Sequence, residues 1–123
     1  MAAITLTVSV RDTTKSVTSK PASSLSITTG THEHKGTDAT AVGEGSITID
    51  SNITSGFGPG LTMLKNLDAT DSIDVGTGTG DLDQTLGPGE VCVLMLEDGE
   101  TTIYHQASAN TPALYFEIYE RNA

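Results

Sequence analysis

Two histidines in a polar stretch are the side chains with the clearest chemical potential. His32 and His34 flank Glu33. Alternate residues of an extended chain project to the same side, so the two imidazoles could share a metal ion. Two nitrogens are too few for a metal site, although three copies around a threefold axis would supply six. The alternative is a solvated loop. We expect no metal and no cofactor.

Carboxylates and hydroxyls give weaker signals. Asp68, Asp71 and Asp74 recur every three residues, but the twelve-residue calcium loop with its closing glutamate is missing, and aspartates also favour turns. His105 and Ser108 with an aspartate would form a hydrolytic triad. No G-x-S-x-G elbow accompanies them, so we predict that the chain is not an enzyme.

The elements that position these residues are predicted to be strands. Thr and Ser occupy 31 of the 123 positions, while 36% of the chain is apolar and 4% aromatic. Such a composition suits two-faced strands around a thin core, and the length suits one domain over residues 1–123. The favoured class is all-β, without a second domain.

Charge and special segments exclude several classes of partner. The formal charge of -10 repels phosphate backbones, which excludes nucleic acid as a primary ligand. Cys92 is the single cysteine, so an intramolecular disulfide is impossible. The N-terminus lacks the pattern of a signal peptide, and no stretch approaches the roughly 20 apolar residues of a membrane helix. We expect a soluble protein with no membrane partner.

Alternating apolar residues predict seven or eight short strands, which favours an antiparallel β-sandwich or jelly roll. A hairpin is predicted over 61–76. The strand at 91–96 is predicted to turn back at Asp98-Gly99 into 101–106, because Asp-Gly pairs supply the backbone conformations of tight hairpins. Residues 30–45, bounded by glycines, predict a long loop.

Two predicted strands carry apolar side chains beyond the needs of one core. Both alternating faces of 91–96 are apolar, which predicts cover on both sides, and in so short a domain the second cover is another subunit. Tyrosines on the outward face of 113–120 are typical of interfaces. The candidate oligomer-interface residues are Val91, Val93, Leu94, Leu96, Tyr115 and Tyr119.

Several segments together carry a family resemblance. They are 64–71 (LKNLDATD), 73–76 (IDVG), 86–91 (LGPGEV), 102–104 (TIY) and 114–120 (LYFEIYE). In this order they resemble a group of small virion proteins of tailed phages and prophages. In addition, the G-x-H-x-H pattern at 30–34 is similar to that of metal-binding phage tail-fibre shafts.

The resemblance implies a jelly-roll-like capsid decoration (cement) protein, or another small head or tail accessory part, often trimeric. We therefore expect a homotrimer that is made in the host cytoplasm and binds the major capsid protein at the virion surface. The N-terminal arm and two turns supply the candidate capsid contacts: Met1, Ala2, Ala3, Phe57, Pro59 and Pro88. The alternative is a receptor- or glycan-binding knob associated with a tail fibre, which predicts exposed aromatic side chains in loops.

Overall fold

The computed structural model describes residues 2–8 and 23–122, and it consists of two antiparallel sheets. The five-stranded sheet has the order β1-β2-β9-β4-β7, the four-stranded sheet has the order β3-β8-β5-β6, and one of the two is strongly curled. The predicted all-β sandwich is confirmed. The strands are β1 (Ala2–Val8), β2 (Ser23–Ala39), β3 (Gly45–Thr48), β4 (Pro59–Asn66), β5 (Ile73–Gly76), β6 (Gln84–Leu86), β7 (Val91–Met95), β8 (Thr102–Ala107) and β9 (Ala113–Arg121).

The core is one apolar layer between the two sheets. Side chains alternate across a strand, so every second residue of β9 points inward, and these are Leu114, Phe116 and Ile118. The facing sheet contributes Ile47, Ile73, Val75, Leu86 and Ile103. The predicted inward face of the last strand is confirmed.

One helical turn, α1 (Ser51–Thr54), closes one end of this layer. The Asp50 carboxylate accepts the Asn52 N–H at 2.8 Å, which caps the turn. Ile53 is fully buried and packs into the core. Within the described residues, no helix is long and apolar enough to cross a membrane.

The hairpin predicted over 61–76 is wrong. β4 pairs with β7 and β9 in one sheet, whereas β5 pairs with β6 and β8 in the other. Residues 67–72 therefore cross between the sheets, and Asp68 shapes the corner by accepting the N–H groups of Thr70 at 3.0 Å and Asp71 at 2.7 Å. Alternation looks the same in a hairpin and in a crossover, so the pattern did not distinguish them.

The hairpin predicted between 91–96 and 101–106 is also wrong. Gly99 does adopt a positive φ of 100°, as the Asp-Gly pair indicates. The turn nevertheless leads from β7 in the five-stranded sheet to β8 in the four-stranded sheet. A tight turn fixes the local reversal of the chain but not which strands pair.

The long loop predicted at 30–45 is largely strand. β2 continues to Ala39 and pairs with β9, with Lys35 opposite Glu117. Apolar alternation is absent from these residues because the Phe116 ring lies over Gly36, where an added Cβ would come within 3.1 Å of the ring. An aromatic residue of the neighbouring strand thus replaces the missing side chain. The sequence also predicts a short edge strand at 16–19, and these residues fall outside the described ranges.

Asn66 joins the two sheets at the 67–72 corner. Its side chain is fully buried and donates to the carbonyl oxygens of Asp71 at 2.7 Å and Leu86 at 3.0 Å, while its oxygen accepts the Asp68 N–H at 2.9 Å. Three backbone groups, of which the Leu86 carbonyl is buried and the other two are partly buried, therefore depend on one amide.

Replacing Asn66 with alanine is expected to lower the free energy of unfolding by about 3 kcal/mol, because it takes the amide donor from the buried Leu86 carbonyl and the partly buried Asp71 carbonyl. Urea denaturation of Asn66→Ala measures this. The control is Asn52→Ala, an exposed site, where the change is expected to stay below about 0.5 kcal/mol. Equal losses in the two variants would contradict the assigned role of the Asn66 amide.

Candidate functional site

The outer surface of β7 is the most prominent apolar feature outside the core. Val91, Val93 and Met95 share this surface and are 50%, 42% and 51% exposed. β7 is the last strand of its sheet in the described part of the chain. Of the two apolar faces of 91–96, the described residues pack against the inner one and leave the outer one open. Cover of the outer face by another subunit stays a prediction.

The inner surface of β7 faces the core. Cys92 and Leu94 are partly buried and pack against the core, and Leu96 is 2% exposed within it. Of the interface residues predicted here, Leu96 is therefore not available to a partner. Met95 was missed, although its alternation with Val91 and Val93 would have identified it.

A groove runs beneath the inner surface of β7. It has a volume of about 560 Å³, and Leu64, Val75 and Ile103 form part of its apolar lining. The lining also contains three carboxylates and, among the described residues, no Lys, Arg or His; the three are Asp83, Glu97 and Glu100. Burial, together with the charge of Asp83, raises the pKa of the Cys92 thiol.

The two candidate tyrosines lie on the outer face of β9, as predicted, but their own chain contacts them. Tyr119 is 8% exposed, and its hydroxyl donates a short hydrogen bond to Glu117. This hydrogen bond lowers the pKa of Glu117. The Lys35 ammonium lies 5.3 Å from the centre of the Tyr119 ring and 3.6 Å from Glu117. Tyr119 is thus satisfied internally, while Tyr115 is half-buried.

Strand β1 lies close to the same outer face. Ile4 encloses a small cavity of about 160 Å³ with Leu61, Met63, Val93 and Tyr119. The outer face from β4 to β7 is therefore apolar at Leu61, Met63 and Val93, has Lys65 beside Val91, and is only partly covered by β1. The exposed remainder is the row of Val91, Val93 and Met95, which we name the β7 row.

The candidate capsid contacts are dispersed. Phe57 is 55% exposed and Pro88 is exposed, whereas Pro59 is buried and cannot contact a partner. Phe57 precedes β4, and the Pro88 turn lies at the other end of that strand, where the Gly89 N–H donates to the Asn66 carbonyl at 3.1 Å. Ala2 and Ala3 belong to β1. Met1 falls outside the described residues.

The two histidines of the proposed metal motif bond to different groups. His32 Nδ1 lies 3.2 Å from the Glu120 carboxylate. His34 Nδ1 accepts the Asp50 N–H at 3.2 Å, and its ring meets Phe116 edge-on with 5.0 Å between centroids. In the described ranges, no three His, Cys, Asp or Glu side chains are grouped as a metal ion requires.

The proposed triad is not assembled. His105 Nε2 lies 2.7 Å from Asp38, but the Ser108 hydroxyl accepts the Ser72 N–H instead. His105 Nδ1 is buried without a partner in the described structure and packs against Gly45, where a Cβ would come within 2.6 Å of the ring. His105 and Asp38 therefore connect the two sheets.

Glu120 is the most constrained carboxylate. It is 3% exposed and accepts the backbone N–H groups of Thr31 at 2.9 Å, His32 at 3.1 Å and Phe57 at 3.2 Å. Burial raises the pKa of Glu120, but these donors outweigh it, so the pKa lies below the ordinary value. A methyl group on Gly56 would overlap the carboxylate, as would one on Gly30.

Comparison of the chain with protein-family models, with curated proteins and with solved structures finds no match in any of the three. The structure offers an exposed apolar row, an acidic groove beside it, and polar side chains that bond to other groups of the fold.

Glu120→Gln is expected to weaken the fold and to reduce its sensitivity to acid. Because the folded pKa is depressed, the carboxylate stabilises the protein above the unfolded pKa of about 4.3, and this contribution disappears as the pH falls through the folded value. Near neutral pH the variant should lose about 2 kcal/mol of unfolding free energy, since an amide cannot accept all these bonds.

Urea denaturation at pH 7 and at steps down to pH 3 measures both effects. The difference between wild type and Glu120→Gln should shrink as the pH falls. Glu44→Gln is the control because Glu44 is exposed. A difference between wild type and Glu120→Gln that is constant across this range would contradict the assignment.

Proposed function

We propose that this chain is a bacteriophage virion structural protein, a homotrimeric capsid decoration protein that works by docking rather than by catalysis. The observation that carries the proposal is the β7 row. A soluble domain gains nothing by exposing three neighbouring apolar side chains, and contiguous exposed apolar surface marks interaction sites. Burying each half-exposed side chain against a sister copy contributes roughly 1 kcal/mol.

The polar interior supports a docking role over a catalytic one. His105, Glu120 and Tyr119, which have the chemistry an enzyme uses, are buried and bonded to groups of their own chain. A catalytic side chain must reach a substrate, whereas these side chains hold strands and sheets together. At β7 the accessible side chains are the apolar ones of the row, and the groove beneath it is lined by carboxylates.

The virion assignment depends on the sequence resemblance together with this surface. A decoration protein needs one surface for its own copies and a second for the shell. The β7 row supplies the first surface in this proposal, while Phe57 and Pro88, which remain exposed at the two ends of β4, supply contacts to the major capsid protein. The net charge of -10 keeps many copies on one particle soluble.

Val93→Asp is expected to shift the protein from trimer to monomer, because burying an unpaired carboxylate at an apolar interface is costly. Sedimentation-velocity ultracentrifugation over a range of concentrations should show the trimer fraction falling at least tenfold. The control is Thr48→Asp, which adds the same charge at an exposed position on the opposite sheet. A wild-type chain that sediments as a monomer, or a trimer that survives Val93→Asp, would contradict the self-association.

The virion role has a separate test. Phage particles purified from the strain that encodes the chain should contain it when their proteins are identified by mass spectrometry. Purified chain added to particles that lack it should sediment with them, and Phe57→Ser should weaken this binding without changing the trimer. Particles that never contain or bind the chain would exclude the assignment.

A further inference from the structure

The free edge of β7 presents backbone groups as well as side chains. On its paired side, the Leu96 N–H donates to the Gly60 carbonyl at 2.9 Å and the Asn66 N–H donates to the Glu90 carbonyl at 3.0 Å. Hydrogen-bonded pairs alternate along an antiparallel ladder. The even-numbered residues of β7 therefore bond to β4, and the N–H and C=O groups of the β7 row point away from β4.

This edge lacks the usual protection of an edge strand. Natural sheets protect their edges with charged side chains, proline or bulges. The five residues of β7 are Val, Cys, Val, Leu and Met, and their register with β4 is unbroken from Val91 to Met95. Within the described ranges, no strand pairs with the other edge of β7. The edge can thus accept an added strand.

The space beneath the edge fits the side chains of such a strand. The groove of about 560 Å³ opens between β7 and the opposite sheet, with Leu64, Val75 and Ile103 in its lining. Alternate residues of an added strand would point into this groove, and those between them would extend the β7 row. An extended segment with small apolar side chains on its inward face would therefore be buried on that side.

Charge identifies the occupant. Asp83, Glu97 and Glu100 line the groove without a basic neighbour in its described lining. A second copy of this chain, with a formal charge of -10, is repelled from such a groove, whereas a basic segment is attracted to it. The complementary partner carries Lys or Arg beside its apolar residues.

We propose that β7 binds an extended, basic segment of a partner polypeptide by strand addition, with alternate apolar side chains of that segment seated in the groove. Main-chain hydrogen bonds to the β7 row provide affinity, and the groove with its carboxylates provides specificity. This proposal does not depend on the virion role, because it follows from the edge, the groove and the charge. The self-association proposed above uses the outward side-chain faces of the β7 row and leaves the backbone edge and the groove free.

The test uses synthetic peptides with a fluorescent label. The first alternates valine with threonine over seven residues and has two lysines at each end; its twin has glutamates in place of the lysines. Fluorescence anisotropy with the full chain should show that the lysine peptide binds at least tenfold more tightly, and that this preference shrinks in 0.5 M salt. Glu97→Gln/Glu100→Gln should also reduce the preference.

Variants at one position separate strand addition from simple apolar contact. Val93→Pro removes an N–H that points away from β4, so the hydrogen bonds between β7 and β4 are preserved. The variant should bind the lysine peptide at least tenfold more weakly than the wild type. Val93→Thr keeps that N–H and should weaken binding no more than threefold. Circular dichroism and the thermal midpoint establish that both variants fold.

Four results would overturn the proposal. Equal affinity for the lysine and glutamate peptides would show that the carboxylates do not select a basic segment. Binding that is insensitive to Val93→Pro would show that the peptide does not pair with the edge of β7. Absence of binding up to 1 mM peptide would show that β7 and the groove do not bind such a segment. Self-association of the chain that competes with the peptide and is lost in Val93→Pro would make a second copy the occupant.

Discussion

A single apolar layer between two sheets holds this protein together, and its thinness determines the rest of the structure. Only 36% of the chain is apolar. The layer is complete around Leu114 and Ile118 of the central strand β9, which are fully buried. It is incomplete beneath β7, where the groove of about 560 Å³ remains. The same strand exposes the β7 row on its other side. Burial is therefore greatest at β9, and exposed apolar surface lies at β7, two strands away in the same sheet.

Polar side chains strengthen the layer where apolar ones are few. His105 and Asp38 connect the two sheets, Asn66 connects the end of β4 to β6, and Glu120 joins β9 to β2 and to the turn before β4. Each of these groups gains partners that water would otherwise provide, which offsets the cost of burial. In the described structure, the chemistry of His105, Asn66 and Glu120 is thus used to hold strands and sheets together.

Alternation was sufficient to predict the class of fold and the inward face of β9, because strand geometry fixes which residues share a face. Alternation did not predict pairing partners. The corner at 67–72 and the turn at Gly99 reverse the chain in ways that serve a hairpin and a crossover equally well, so both predicted hairpins were wrong. The strand through 30–39 was missed because a ring from Phe116, distant in sequence, fills the place above Gly36. Met95 lies on the same face as Val91 and Val93, so their alternation includes it although it was not predicted. Leu96 was wrongly placed at the interface because neighbouring residues of one apolar run lie on opposite faces.

The carboxylate of Glu120 and the two glycines beside it also limit how this chain can diverge. Gly30 and Gly56 leave no room for a side chain while that carboxylate is present, so the three positions are coupled and a drift at one is constrained by the other two. Among descendants of this sequence the three positions should change together, with aspartate in place of Glu120 and alanine or serine in place of Gly30 and Gly56. A concerted pattern of that kind would provide a signature for recognising distant kin whose surfaces have diverged beyond comparison.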